Sequence, residues 1–289
     1  MSPRIRPELA RSWLLVPGHA PDRFGAAATS PADAVVLDLE DAVPAAGKPA
    51  ARAGVVDWLR GGGNAWVRIN DATTPYWADD LEALAELSGL EGVMLAKTES
   101  GHQVDATAGR LPDGTHILIL IESAMGLEAA PEIARADGAF RLVFGSGDFR
   151  RDTGVDDSPL ALAYPRSRLV VASRAARLAG PIDGPSLTDD PTALKQEAEL
   201  TRSMGMTGKL CMTPERASYA NAALSPSVDD VTWAREVIGR LGEDGSGARD
   251  GSDLPKLAKA KKITMLAQAF GVTVVRGGGH SSGNADSGR

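Results

Sequence analysis

The chain has 289 residues, 43% of them hydrophobic and 24% charged, which is enough to bury a large core and too apolar for a disordered chain. Its 31 basic and 38 acidic residues leave a net charge of −7, which argues against a general nucleic-acid binder but not against small anionic ligands. No apolar run approaches the roughly 20 residues of a membrane span. The start, MSPRIRPELARSWLLVPG, lacks the apolar stretch and cleavage site of a secretion signal, so the expected location is cytoplasmic. The single cysteine, Cys211, excludes an intrachain disulfide and a multi-cysteine metal site.

In chain order, apolar runs fall at residues 12–16, 34–39, 65–69, 92–96, 116–121, 141–144, weakly at 180–182, and at 208–212. Stretches such as WADDLEALAEL (77–87) and GLEAAPEIARA (126–136) separate them, with the spacing of helices that lie against a sheet. Pro21 and Asp22 suit the opening of the first helix, a proline at its first position followed by an acid. Alternating strand and helix predicts a parallel α/β fold, and eight units predict a closed (β/α)8 TIM barrel over residues 1–240. An open dinucleotide-binding sheet lacks support, because no GxGxxG follows the first run and no GxxxxGK[ST] occurs. The glycines at 61–63 precede a strand and read as a turn. From about residue 241, GEDGSGARDGSD reads as a connector, and residues 254–270 have helical spacing with four lysines. A linker and C-terminal helical lid segment is therefore expected over 241–272, with a disordered tail carrying His280 at 273–289.

In a barrel of this kind chemistry gathers where strands end. Asp38, Glu40 and Asp41 stand at the end of the second run, Arg68 and Asn70 at the third, Lys97 and Glu99 at the fourth, Glu122 at the fifth and Asp148 at the sixth. Glu122 closes ILILIE, where a carboxylate is costly to bury unless it is paired or holds a cation. Two carboxylates without a histidine or cysteine cluster suit a hard cation, Mg²⁺ or alternatively Mn²⁺, completed by water and ligand oxygens. An inter-strand ion-pair network with Lys97 or Arg68 accounts for the same residues and stays open at this stage. Gly145 and Gly147 favour the metal by letting backbone approach a ligand. Arg68, fixed on a strand, either grips a carboxylate or carbonyl bidentately or neutralises Glu40 and Asp41. Asp38, Glu40, Asp41 and Lys97 are expected behind the metal ligands, orienting Arg68 and metal-bound water.

These residues lie in segments that resemble one family in order: RSWLLVPGHAPDRF (11–24), ADAVVLDLEDAVP (32–44), VRIN (67–70), GVMLAKTES (92–100), LILIESAMGLEAAPEIA (118–134), FGSGDFRRDTG (144–154), GKLCMTPERA (208–217) and LSPSVDDVTWAREVI (224–238). The chain is similar to the citrate lyase β-subunit-like family of the HpcH/HpaI aldolase superfamily, which includes malyl-CoA and citramalyl-CoA lyases and thioesterases. The resemblance implies a barrel that assembles as a homotrimer or hexamer and a carbon–carbon bond cleaved or formed beside a coenzyme A thioester. The products implied are an acyl-CoA and glyoxylate or pyruvate, with thioester hydrolysis as a further outcome. On matching positions it implies Glu122 and Asp148 as Mg²⁺ ligands, Glu122 and Arg68 in catalysis and substrate binding, and Asp253 as a catalytic aspartate lent to a neighbouring subunit. It makes Lys48, Arg52 and the lysines after Asp253 contacts for coenzyme A phosphates.

Three departures stand out. Gly147 replaces an acid often found before the metal-binding aspartate. Met212-Thr213-Pro214 replaces Ile-His-Pro after the eighth strand, which makes Met212 and Thr213 the expected substrate neighbours there. The Met-Ile-Asp motif shortens to Ser252-Asp253. Two rivals stay open at this stage: a coenzyme A-independent aldolase of 4-hydroxy-2-oxo acids, and a non-catalytic subunit that binds acyl-CoA or an acyl carrier within a lyase complex.

Overall fold

The computed structural model describes residues 5–273, which divide into two compact units, one ending at Leu224 and the other starting at Ser225. In the first, β1 (Ser12–Pro17), α1 (Phe24–Ala28), β2 (Ala34–Asp38), α2 (Lys48–Arg60), β3 (Ala65–Ile69), α3 (Pro75–Leu84), β4 (Leu90–Leu95) and α4 (Gly101–Ala108) come in turn. There follow β5 (Ile117–Ile121), α5 (Ala124–Ile133), β6 (Ala139–Phe144), α6 (Ser146–Thr153), α7 (Ala163–Ala175), β7 (Ile182–Asp183), α8 (Pro191–Ser203), β8 (Gly208–Cys211) and α9 (Pro214–Leu224). The eight strands are parallel, pair in sequence order and close through β8 on β1. This is the expected TIM-type barrel with every apolar run in place. Two local readings change: Pro21–Arg23 forms a 3-10 turn ahead of α1, and the seventh strand is only Ile182–Asp183.

Strand alternation builds two apolar layers. Trp13, Val36, Trp66, Met94, Leu118, Val143 and Leu210 pack together inside the barrel, while Leu14, Leu37, Val67, Val93, Ile119 and Leu142 pack against the helices. Both faces are buried, so the strands read as nearly continuous apolar runs. At the end where strands begin, the interior is closed by aromatic rings: Trp66 meets Trp13 edge-on at 5.2 Å and stacks on Phe140 at 5.7 Å.

Arg141 sits among them with no exposed surface. Its Nε donates to the Gly180 carbonyl at 2.9 Å, its Nη1 to the Pro7 and Ala10 carbonyls at 3.1 and 2.9 Å, and its Nη2 to the Thr207 hydroxyl at 3.0 Å. Burial lowers its pKa to about 9, which still leaves it charged at neutral pH. The side chain therefore ties the segment before β1 to the starts of β7 and β8. Arg141→Met leaves these acceptors dry, and a loss of about 3 kcal/mol or more is expected in urea denaturation.

The second unit contains α10 (Val228–Leu241) and α11 (Asp253–Phe270). Ser227 and Asp230 cap α10 reciprocally, and Val237 and Leu241 pack on Leu257 and Ala260 of α11. The sequence reading placed α10 within the barrel domain. Its apolar face instead joins α11, so the helical unit begins well before residue 241. Residues 274–289, with most of the expected tail and His280, lie outside the described residues. No helix among the described residues is long and apolar enough to cross a membrane.

Candidate active site

The acids that end β2 and the arginine of β3 form one unit. Arg68 and Asp38 are paired in the strand register, and Arg68 grips Asp38 with two parallel bonds, Nε to Oδ1 at 2.7 Å and Nη2 to Oδ2 at 2.6 Å. The third nitrogen, Nη1, lies 3.3 Å from Glu40 Oε2. Asp38 also accepts the backbone amides of Glu40 at 2.9 Å and Ala42 at 3.3 Å, so the turn after β2 folds around this carboxylate. Burial works against the charge of Arg68, but Asp38, Glu40 and Glu122 outweigh it and raise its pKa. Arg68 neutralises chiefly Asp38, and this pairing fixes the direction of its guanidinium.

Lys97, just after β4, joins this unit to the next. Its Nζ contacts Glu40 closely, lies 3.0 Å from Asp41 and 4.0 Å from Asp148. Burial opposes its charge, and the bonds from Glu40 and Asp41 overcome that and raise its pKa. Burial also pushes Glu40 upward, against Arg68 and Lys97. Lys97 has a φ of 49°, a left-handed conformation uncommon for a residue with a side chain. That backbone turns its amide onto Glu122, and Lys97 N–H donates to Oε1 at 2.9 Å.

Glu122 is 6% exposed. Burial pushes its carboxyl up to about 8, against the Lys97 amide and Arg68, with Glu40 and Asp148 adding to the rise. Asp148, in the first turn of α6, and Glu122 line the same open groove of about 510 Å³ together with Lys97, Glu99, Ser123 and Arg151. Asp148 Oδ2 is buried and accepts no hydrogen bond, although Arg151 Nη2 lies 3.0 Å away.

Three observations fit a hard divalent cation at this point. The donors are carboxylate oxygens, Asp148 Oδ2 accepts no hydrogen bond, and Gly145 leaves room for Glu122 to reach the groove: a Cβ there would stand 2.5 Å from both its Cβ and Oε2. Among the described residues no group of three or more His, Cys, Asp or Glu forms a metal cluster. A cation on Glu122 and Asp148 would thus keep most of its coordination for water and ligand oxygens. At Gly147 the Cβ position is open, with no protein atom within 4 Å. Gly145→Ala is expected to displace Glu122 as a whole, lowering stability and cutting Mg²⁺ affinity at least tenfold, as read by urea denaturation and calorimetric titration.

Other expected site residues fall elsewhere. Asn70 is fixed by Asp80, which accepts its amide at 3.0 Å and its side chain at 2.6 Å. Arg52 pairs with the same Asp80 at 2.7 Å, and Lys48 Nζ donates to the Leu39 and Glu40 carbonyls at 2.9 Å each. Both cations expected on coenzyme A phosphates thus have partners inside the protein, stitching α2 and α3 to the strand ends. Met212 and Thr213 follow β8 but do not line the groove of Glu122 and Asp148. Asp253 is buried in its own unit, where it accepts the Arg249 amide at 2.9 Å and the Asp250 amide at 3.4 Å, with Arg240 also at 3.4 Å. The Arg249 amide, above all, holds its carboxyl below the ordinary aspartate range, against the effect of burial. The sequence reading missed Asp80 and Arg151. The spacing of three between Asp148 and Arg151 on one helix was a usable signal for the second.

Comparison with known proteins identifies the family. Residues 11–214 match the model of the HpcH/HpaI aldolase/citrate lyase family, and residues 229–271 match the HpcH/HpaI aldolase C-terminal domain. A citrate lyase subunit beta-like protein of Deinococcus radiodurans is 32% identical over 277 residues, covering 89% of this chain and 97% of the relative. Two Cereibacter sphaeroides proteins are each 30% identical: an L-malyl-CoA/beta-methylmalyl-CoA lyase, with 83% of this chain and 86% of the relative covered, and a (3S)-malyl-CoA thioesterase, with 92% and 96%. A crystal structure of Mycobacterium tuberculosis CitE in complex with magnesium, acetoacetate and coenzyme A superposes with a TM-score of 0.76 at 31% identity, covering 90% of this chain and 99% of that one. With the family model matched from β1 to the start of α9 and the paired carboxylates at the strand ends, the chain belongs to the HpcH/HpaI aldolase/citrate lyase family.

Proposed function

We propose that the protein is a Mg²⁺-dependent carbon–carbon lyase acting on a 3-hydroxyacyl-CoA such as malyl-CoA or citramalyl-CoA, with glyoxylate or pyruvate as the oxo-acid partner. The observation that carries the reading is the buried Glu122 beside Asp148 in one groove, backed by an arginine that Asp38 holds rigid. The lyase relative and the magnesium and coenzyme A complex of CitE support the substrate class.

Glu122 and Asp148 would hold Mg²⁺, which would supply Lewis-acid polarisation of the oxo-acid oxygens. The protein supplies the rest. Arg68 places fixed positive charge where the carbonyl or alkoxide oxygen gains charge, and because Asp38 pins it, little reorganisation is needed. Lys97 orients Glu122 through its amide and balances Glu40 and Asp41 through its ammonium. The thioesterase relative favours a second outcome in which water, rather than an acyl-CoA carbanion, is the nucleophile in the same groove.

The decisive experiment incubates the purified protein with Mg²⁺ and a panel of acyl-CoA thioesters, scoring free coenzyme A separately from glyoxylate or pyruvate. Lyase turnover releases oxo acid, hydrolysis releases free coenzyme A, and full turnover that survives EDTA rules out the metal-dependent reading. For Asp253 to take the acyl-methyl proton in a neighbouring subunit of a trimer or hexamer, its carboxylate must leave the Arg249 and Asp250 amides. Mixed oligomers of Asp253→Ala and Arg68→Ala chains decide this. Recovered turnover places both residues in one shared site, and no recovery despite demonstrated subunit exchange removes Asp253 from the mechanism.

A further inference from the structure

Outside the barrel wall, a second polar centre lies in the layer between strands and helices. Because β7 has only two residues, α7 and α8 on either side of it border a cavity of about 460 Å³. Arg166 of α7 and Lys209 of β8 line it, with side chains only 11% and 6% exposed. The two cations share one carboxylate: Asp183 Oδ1 accepts Arg166 Nε at 2.9 Å, and Lys209 Nζ stands 3.7 Å from Oδ2. That carboxylate also accepts the Thr201 hydroxyl at 2.6 Å and the Gly184 amide at 3.0 Å.

Lys209 donates to the Gly184 carbonyl at 3.0 Å, and the terminal nitrogens of Arg166 donate to no described residue. Two buried cations thus face one heavily engaged carboxylate at the edge of a cavity, and a buried charge without its own partner is costly. Leu162, Leu187 and Leu200 supply apolar walls. Asp157 and Glu197 also reach the cavity, but Asp157 pairs with Arg150 at 2.9 Å and Glu197 forms no ion pair with Arg166 or Lys209. A cationic floor under aliphatic walls matches the usual pattern of a small-molecule site, apolar with a few convergent polar groups.

We propose that this cavity binds small aliphatic carboxylates, with the carboxylate on Arg166 and Lys209 and the carbon chain against the leucines. It shares no lining residue with the groove of Glu122 and Asp148, and it stands whether or not the lyase assignment holds.

Calorimetric titration of the full chain with acetate, butyrate and hexanoate, in EDTA and at constant ionic strength, tests the proposal. Saturable binding is expected, with affinity rising up to about fourfold per buried CH₂. Lys209→Met should weaken butyrate tenfold or more. Should that variant fail to fold, two substitutions on the α8 wall carry the test: Ala193→Glu should weaken binding and Glu197→Gln should tighten it. Glu99→Gln, in the groove of Glu122 and Asp148, should leave it unchanged. Absence of saturable binding, affinity independent of chain length, or binding that survives Ala193→Glu and changes in Glu99→Gln overturns the proposal.

Discussion

Glu122→Gln is expected to reduce Mg²⁺-dependent turnover by about a thousandfold or more and to abolish a pH dependence of metal binding that the native protein shows. With its carboxyl raised to about 8 by burial, native Glu122 is protonated in the metal-free protein at neutral pH. Mg²⁺ binds the carboxylate, so binding releases a proton, and apparent affinity should climb roughly tenfold per pH unit up to about pH 8 and then level. Stability follows the same linkage. The folded-state pKa lies above the ordinary 4.5, so between these values the folded protein holds a proton that the unfolded chain has lost. This contribution is complete below about pH 4.5 and declines as pH rises toward 8, by at most about 1.4 kcal/mol per unit. Saturating Mg²⁺, or the Gln substitution, should flatten that decline. Calorimetric titrations in buffers of different ionisation enthalpy count the released proton, and urea midpoints across the pH range check the stability.

Asp38→Ala should be the more damaging change to the fold. It strips a buried guanidinium of its bidentate partner and leaves only the longer contact to Glu40, and breaking such a pair from one side costs about 3–5 kcal/mol. Turnover should fall at least a hundredfold, because Arg68 loses its fixed direction. The double variant Asp38→Leu/Arg68→Met removes both charges and should regain much of the stability while staying inactive. Urea denaturation beside the acyl-CoA assay separates the two effects; a double variant as unstable as Asp38→Ala would show that the pair is not the source of the loss.

The barrel was legible because each strand is buried on both faces, which writes a compact apolar run into the sequence even where helices vary. β7 was faint for a physical reason: with two residues, one of them Asp183, it has almost no apolar face to display. The positions of Glu122 and Asp148 could be read from the abrupt change of polarity at a strand end. Partner choice could not. The sequence points Arg68 at Glu40 and Asp41, whereas the register of β2 against β3 sets it beside Asp38. Lys48 and Arg52 read as free cations on a helix, because the carbonyls and the aspartate that engage them belong to a strand end and to α3, distant in sequence. Arg141 reads as an anomaly within a strand until the segment before β1 is seen lying against it.

The left-handed backbone at Lys97 has a consequence for how this position can vary. Glycine or asparagine would relieve the conformation, yet neither carries the ammonium that balances Glu40 and Asp41. Arginine would keep the charge but not its compact form, and a β-branched residue would suit neither demand. Lys97→Gly is therefore expected to relax the backbone yet to lose stability on balance, because it strips the buried Glu40 of its closest cation. Residue 97 is thus a place where backbone comfort and charge balance select different amino acids, and the lysine present satisfies the second.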